Sequence, residues 1–244
     1  MYKLGIVTPC YNESQNISQL LSQIDQVVCA AQIKTLMLIV DDASPDGTAL
    51  IVKKIMQKNQ SDFLDIKIFE RTGKLGLGTA YIQGIGQIKD ECDFVMEMDA
   101  DLSHQPKYIV DFLSVADQNN LDLVIGSRYI DGGGIENWDI KRKAISRFGS
   151  LYAKTILSLN VNDFTGGYNM FRSSFITQIN LLEQIESIGY LFQIEMKYRS
   201  IKAGAKFTEV PIIFPDRING ESKMSGSIIK EAAIGVFKLK FNVK

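Results

Sequence analysis

Apolar positions along the chain follow two alternating rhythms. Short continuous runs, LGIVTP (Leu4–Pro9), LMLIVDD (Leu36–Asp42), IKIFER (Ile66–Arg71), FVMEMD (Phe94–Asp99) and LDLVIGS (Leu121–Ser127), read as strands buried on both faces. Between them the apolar residues recur at helical spacing. Ile17, Leu20, Leu21 and Ile24 predict a helix from Glu13 to about Val28, and Ala49, Val52, Ile55 and Met56 predict one starting near Asp46. TAYIQGIGQI (Thr79–Ile88) and KYIVDFLSVA (Lys107–Ala116) continue the series. Strand–helix–strand repetition at this spacing predicts an α/β fold with right-handed crossovers and a mainly parallel central sheet flanked by helices. No internal repeat, low-complexity tract or linker interrupts the 244 residues, so a single domain in two lobes is expected.

The same pattern places the polar chemistry. In FVMEMDADLS (Phe94–Ser103) a hydrophobic strand runs into Glu97, Asp99 and Asp101. Like charges this close raise one another's pKa and cost folding energy unless a cation sits among them. IVDDAS also begins where a strand ends, and in open α/β sheets the ligand crevice lies at the carboxyl ends of strands. Asp42, Asp99 and Asp101 are therefore expected to converge, whereas Asp46, just before GTALIV, suits a helix cap. The Asp99-x-Asp101 pair suits Mg²⁺ or Mn²⁺, which takes carboxylate oxygens on one side and substrate phosphates on the other. DADLS also resembles the opening of aspartyl-phosphate phosphatases, but it follows the fourth strand here, where that family has it after the first.

Other stretches leave alternatives open. KLGLGTAYIQGIG lacks the third glycine of a dinucleotide fingerprint, Tyr81 standing in its place. It reads either as a flexible loop or as a phosphate-contacting loop with Lys74 as its cation. His104, the one histidine, has no matching nucleophile for a triad; beside DADLS it reads either as a group approaching the metal or, in preference, as packing at a helix start. WDIKRKAISR crowds Lys141, Arg142, Lys143 and Arg147 into about two helical turns, with Arg142 and Ser146 four apart on one face. That face suits either a solvated basic surface or an anionic phosphate, and Arg128 in GSRY, at another strand end, favours the phosphate.

Composition narrows the classes. A net charge of −1 leaves no nucleic-acid footprint, although residues 217–244 hold six Lys/Arg against two Glu. Cys10, Cys29 and Cys92 form no CxxC pair, which argues for a reducing compartment and no zinc site. The N-terminus turns polar too early for a secretory signal, and no stretch is long and apolar enough to span a bilayer. The expectation is a cytoplasmic protein, peripheral at most. The tail IIKEAAIGVFKLKFNVK sets Lys230, Lys238, Lys240 and Lys244 beside Ile234, Phe237 and Phe241, which suits either an anionic bilayer or an ordinary packed helix.

PCYNE (Pro9–Glu13), VDDASPDGT (Val40–Thr48), KLGLGTAY (Lys74–Tyr81), DADLSHQP (Asp99–Pro106), GSRY (Gly126–Tyr129), WDIKRKAISR (Trp138–Arg147) and DRINGESKMSG (Asp216–Gly226) occur in one order. Together they resemble a family 2 glycosyltransferase of the dolichyl-phosphate (polyprenyl-phosphate) mannose synthase type, over nearly the whole chain. The resemblance implies a GT-A fold with a Rossmann-like sheet, a donor lobe over residues 1–105, an acceptor lobe over 106–226 and a basic amphipathic tail over 227–244. It implies a nucleotide-sugar donor, GDP-mannose foremost, a polyprenyl phosphate acceptor, a membrane surface, and in some members a partner subunit that anchors the enzyme. Pro9, Tyr11, Glu13, Val40 and Asp42 would line the nucleoside pocket. Asp99, Ala100 and Asp101 would meet the diphosphate, with Asp101 the chief metal ligand. Arg128, Arg217 and Lys223 would clamp donor phosphates, and Arg128, Arg142 and Ser146 would receive the lipid phosphate. Asp101, Arg128 and Arg142 are thus the expected catalytic set. Cys10 replaces a common Thr, and Ser103 stands where some members have a metal-contacting Gln.

The implied reaction is inverting transfer of mannose. UDP-glucose or another sugar nucleotide is the alternative donor, and a non-catalytic nucleotide-sugar-binding subunit is the alternative class. A phosphate monoester ionises near pH ~6 and needs no base to become a nucleophile, so Glu195 in YLFQIEMKYR is expected to be structural or orienting.

Overall fold

The structure is a computed structural model that describes residues 2–216 and 226–242, with side chains from residue 232 to 241 in the last segment. Arg217, Lys223 and Lys244, and the side chain of Lys230, lie outside the described residues.

Five strands and four helices alternate first: β1 (Lys3–Cys10), α1 (Ile17–Ala30), β2 (Lys34–Asp41), α2 (Thr48–Lys58), β3 (Leu64–Glu70), α3 (Leu77–Ile88), β4 (Phe94–Glu97), α4 (Ile109–Gln118) and β5 (Leu123–Ser127). All nine coincide with predicted elements, with ends shifted by a few residues. The remainder adds β6 (Gly134–Ile135), α5 (Ile140–Leu157), β7 (Asn169–Arg172), α6 (Ser173–Gln178), α7 (Leu181–Gln184), α8 (Leu191–Lys202), β8 (Phe207–Pro211), β9 (Ile213–Phe214) and α9 (Gly226–Asn242). The seven-stranded sheet has the order β3-β2-β1-β4-β7-β5-β8. Four of its six pairings are parallel; β7 runs antiparallel between β4 and β5. The periodicity gave no sign of β7, because a four-residue strand (NMFR) is too short to show alternation.

Successive strand residues point to opposite faces, and β2 divides its side chains accordingly. Met37 and Ile39 join a core with Ile17, Ile24 and Val52 from α1 and α2 and Phe112 from α4. Leu36, Leu38 and Val40 join a second core with Ile85 of α3, Leu157 of α5, Phe192 of α8 and Leu239 of α9. Helices therefore cover both faces, and the strand ends are left to face a ligand. The predicted tail is helix α9, seated through buried Val236 and Leu239.

Helix α3 approaches the sheet closely through Gly84, where an added Cβ would lie 2.4 Å from Val7 and 2.9 Å from Val40. Gly84→Ala should destabilise by about 1–3 kcal/mol, since overpacking against two strands outweighs the roughly 1 kcal/mol gained in helix propensity. Gly86→Ala on the same helix, whose Cβ would meet only Leu182 at 3.8 Å, should keep that gain. Urea unfolding midpoints of the two variants should move in opposite directions.

Candidate active site

Three loops at the carboxyl ends of β1, β2 and β4 form one wall of a cavity of about 790 Å³. Pro9, Tyr11, Glu13, Asp42, Asp99, Ala100 and Asp101 all line it. Val40 does not: its side chain is fully buried beneath α3.

The first loop is held by the second. Backbone N–H groups of Asn12, Glu13 and Ser14 donate to Ser44 Oγ (3.0 Å), Thr48 Oγ1 (3.0 Å) and Asp46 Oδ2 (2.9 Å). Asp46 also accepts from the N–H and the hydroxyl of Thr48, the first residue of α2, so it ties the PCYNE loop to that helix, although the N-cap position itself is Gly47 and not Asp46 as expected. Burial pushes the Asp42 carboxyl above its ordinary pKa, against the pull of Arg71 at 2.9 Å. Arg71, read from sequence only as the end of a strand, is itself buried and donates to Thr79 Oγ1 at 2.6 Å. Cys10 contributes through its backbone, its carbonyl accepting the N–H of Asp42 at 2.9 Å. Lys74 rests 4.5 Å above the ring of Tyr11, a cation on an aromatic face at the cavity wall.

The KLGLG glycines serve packing. A Cβ on Gly76 would lie 2.5 Å from Ile188, and one on Gly78 2.6 Å from the Ser187 carbonyl. The N–H of Gly78 donates to Ile188 C=O at 2.8 Å, which seats the 186–190 segment as the facing wall of the cavity. Glu195 holds that segment. It is fully buried and accepts from Arg199 Nε (2.7 Å), from the N–H groups of Ser187 (2.9 Å) and Glu186 (3.3 Å), and from the Ser187 hydroxyl.

The acidic loop is positioned by neighbours that sequence reasoning did not assign. Tyr81 donates its hydroxyl to Asp99 Oδ1 at 2.8 Å, and burial keeps that phenol protonated. His104 Nδ1 accepts the N–H of Asp99 at 2.8 Å, so the proton of this imidazole sits on Nε2. Burial lowers its pKa and keeps it neutral, with the ring stacked on Tyr168 at 4.7 Å. His104 is thus packed, as expected, but it also sets the backbone of Asp99. Ser103, buried, donates both its N–H (3.1 Å) and its hydroxyl (2.5 Å) to Asp101 Oδ1. Beneath the loop, burial raises the Glu97 carboxyl to about 7 despite the hydrogen bond from Asn169, and lowers Lys197 to about 8. Glu97 therefore belongs to a buried polar layer and does not reach the cavity. Among the described residues no group of three or more His, Cys, Asp or Glu is placed to hold a metal. Asp99 and Asp101 are a hard-oxygen pair that fits Mg²⁺ or Mn²⁺ when a ligand's phosphates complete the shell.

The basic residues form a second cluster. Arg128 is buried, and its Nε and Nη2 donate to Asp163 at 2.7 Å each. Nη2 also reaches Thr165 at 2.9 Å, and Nη1 lies outside these contacts. The expected phosphate clamp is thus a buried bidentate pair whose partner, in DFTGGYN, gave no signal beyond a single carboxylate. Asp139 caps α5 by accepting the N–H of Arg142. The Arg142 guanidinium stacks 3.7 Å over Trp138 and donates to Asp216 at 2.7 Å. Ser146 accepts from the Tyr129 hydroxyl at 2.7 Å and lies 3.3 Å from Thr165. Arg128, Arg142 and Ser146 are therefore brought together, and Phe214 links them to the acidic loop, 5.5 Å from His104 and 5.3 Å from Arg128.

A mostly parallel sheet thus carries carboxylates at its strand ends with cations beside them, and comparison with known proteins places the chain in a family. The family model for glycosyl transferase family 2 matches residues 5–179, and the chain belongs to that family of enzymes. It is 41% identical over 231 residues to an undecaprenyl-phosphate mannosyltransferase of Micrococcus luteus, covering 94% of this chain and 90% of that one. It is 35% identical over 232 residues to a polyprenol monophosphomannose synthase of Mycolicibacterium smegmatis, covering 95% and 84%. Glucosyl-3-phosphoglycerate synthase from Mycobacterium tuberculosis, solved with Mn²⁺, UDP and glucosyl-3-phosphoglycerate, superposes with a TM-score of 0.66 at 15% identity over 99% of this chain and 79% of that one. The fold is of the GT-A type.

Asp163→Asn should cost about 3–5 kcal/mol, because it leaves Arg128 charged and buried without its partner. Burial alone would raise the Asp163 carboxyl, but Arg128 outweighs burial and holds it below the ordinary Asp value of 3.8. The stabilisation is therefore full above that value and is lost as pH falls through the lower folded-state pKa. Denaturation should show a constant gap between parent and variant from about pH 7 to 5, narrowing only in stronger acid.

Proposed function

We propose that the enzyme transfers mannose from GDP-mannose to a polyprenyl phosphate, with inversion, on the cytoplasmic face of a membrane. The observation that carries this reading is the pairing of an acid-lined cavity with a separate cluster of arginine and hydroxyl groups, joined through His104 and Phe214. The cavity suits a sugar nucleotide. The cluster suits a phosphate monoester, with Arg142, Ser146 and Nη1 of Arg128 as its donors. Both curated relatives carry names that pair a mannosyl product with a polyprenyl carrier.

In the reaction an acceptor phosphate oxygen attacks the anomeric carbon, the bond to the nucleoside diphosphate breaks on the opposite face, and the diphosphate departs. Asp99 and Asp101 would hold Mg²⁺ or Mn²⁺, which when bound would supply positive charge to the leaving diphosphate. Tyr81, His104 and Ser103 hold the two carboxylates in place. Arg217 and Lys223, the other donor clamps of this reading, lie in DRINGESK. Glu195 is surrounded by donors and holds the wall at 186–190, so the dianionic acceptor supplies its own nucleophile.

Asp101→Asn should abolish metal-dependent turnover at ordinary metal concentration, since it halves the anionic ligand set while keeping the shape. A thermal-shift panel of GDP, UDP and their sugars with Mn²⁺ should show selective stabilisation by the guanine series. Preference for UDP-glucose would replace the donor in this reading.

Under subsaturating acceptor, the acidic limb of the rate profile should follow the phosphate's own ionisation near ~6. Glu195→Gln should lower the rate and leave that limb in place, whereas Arg142→Ala should raise the KM for the lipid far more than that for the donor. A limb that disappears in Glu195→Gln would make Glu195 the base.

A further inference from the structure

Helix α8 turns one positive charge into the interior. Lys197 is fully buried, and among the described residues it is the only buried lysine. Its Nζ donates to three carbonyl oxygens, those of Phe164 (3.2 Å), Gly166 (2.5 Å) and Gln193 (3.3 Å). A methionine would fill the same space without the desolvation cost of a buried ammonium, so the charge calls for a reason. Hydrogen bonds from a charged donor are about twice as strong as neutral ones, so this ammonium holds its carbonyls firmly.

The Phe164 and Gly166 carbonyls belong to the turn 163–167, and that turn sets Arg128. Asp163 accepts from Nε and Nη2 of Arg128 and from its backbone N–H, while Thr165 accepts from Nη2. The N–H of Gly166 closes the turn on Asp163 at 2.9 Å. Lys197 therefore grips, on either side of Thr165, the backbone that carries both partners of the Arg128 guanidinium. We propose that Lys197 is a positioning residue for the acceptor: its buried positive charge pins the 163–167 turn and so aligns Arg128 for a phosphate monoester. The proposal rests on the reading of the basic cluster as a phosphate site, and it adds the group that holds the cluster in shape from beneath.

The surroundings of the ammonium give this role a pH signature. Burial is the largest influence and lowers Lys197 to about 8; Asp163 of the turn, Glu97 of β4 and Glu209 of β8 favour the charge, and Arg128 opposes it. His104 nearby is neutral. The folded-state value lies below the ordinary lysine value of 10.5, so the unfolded chain holds this proton more tightly. Loss of the proton between about 8 and 10.5 therefore adds stability, and a loss of binding in that window is not unfolding driven by this residue.

The test is calorimetric binding of farnesyl phosphate and, separately, of Mg²⁺ with GDP or UDP, at pH 7 and pH 9. The probe is mostly a dianion at both, its second ionisation lying near ~6. The charged fraction of a lysine with a pKa of about 8 falls about tenfold between them, so the parent's Kd for farnesyl phosphate should weaken about tenfold. Its nucleotide Kd should move by less than about twofold. Lys197→Arg keeps a charge at both pH values and should bind equally at both. Lys197→Met should bind farnesyl phosphate about tenfold more weakly at pH 7, with no further loss at pH 9 and with nucleotide binding and thermal melt retained. Hydrogen exchange at the Arg128 and Gly166 amides, both bonded to Asp163, reads the turn without any ligand and should quicken in Lys197→Met alone. A Met variant that binds farnesyl phosphate like the parent, or a parent whose binding is the same at pH 9, would overturn the proposal. So would an alkaline loss that persists in Lys197→Arg, or equal losses of phosphate and nucleotide binding in Lys197→Met, which would make the lysine a general support of the fold. Failure of the parent to bind farnesyl phosphate at pH 7 would sink the acceptor reading instead, and the exchange comparison would still decide whether Lys197 holds the turn.

Discussion

The buried contact between Asp163 and Arg128 is the one on which the second half of the molecule depends. Asp163 accepts from the Arg128 side chain, from the Arg128 N–H at 3.0 Å and from the N–H of Gly166 at 2.9 Å. Ser150 of α5 stands within 3.4 Å of it, and Glu209 of β8 accepts the Asp163 N–H at 3.0 Å. A single carboxylate thus ties together the end of β5, the middle of α5 and the approach to β7, and through its own N–H it reaches β8. A buried charge of this kind contributes little net stability, but removing one partner is costly, so the geometry around it is strongly enforced. That enforcement sets Arg128 beside Tyr129, Trp138 and Phe214 and gives the basic cluster its shape.

The donor side is governed by a different rule, in which each loop supplies the hydrogen bonds its neighbour lacks. Ser44, Asp46 and Thr48 satisfy the first loop, Arg71 pairs with Asp42, and Tyr81 and His104 satisfy the acidic loop. Backbone strain gathers at the same places. Asn12, Ala43 and Leu102 all have positive φ, at 62°, 56° and 65°, and each directly follows a cavity-lining residue. Such conformations are costly outside glycine and persist only where surrounding contacts over-determine them. Here the contacts are the hydrogen bonds just named, and the result is a set of carboxylates oriented before any ligand arrives.

Helices α5 and α9 bring the two halves to one surface. Each packs apolar side chains into the core, Ala153 and Leu157 on α5 and Val236 and Leu239 on α9, and also carries polar groups of the two sites, Arg142 and Ser146 on α5 and Lys238 on α9. The inward faces are where the donor and acceptor of the proposed reaction would meet.

The sequence by itself determined the alternating first half of the fold, because continuous apolar strands and 3.6-residue periodicity are local properties of the chain. It also placed Asp42, Asp99, Asp101 and Arg128 at strand ends, which in such sheets face the crevice. What it did not determine is how those groups are held. The roles of Arg71, Tyr81, Asn169 and Asp163 rest on partners as much as 72 residues away, which no local pattern encodes. Strand β7 is too short to show a pattern of its own, and its place in the sheet is set by pairing with β4 and β5. The KLGLG glycines show the limit most clearly. As sequence they suit a flexible or phosphate-binding loop; only the tertiary structure shows the Ser187–Ile188 backbone lying where their side chains would have been.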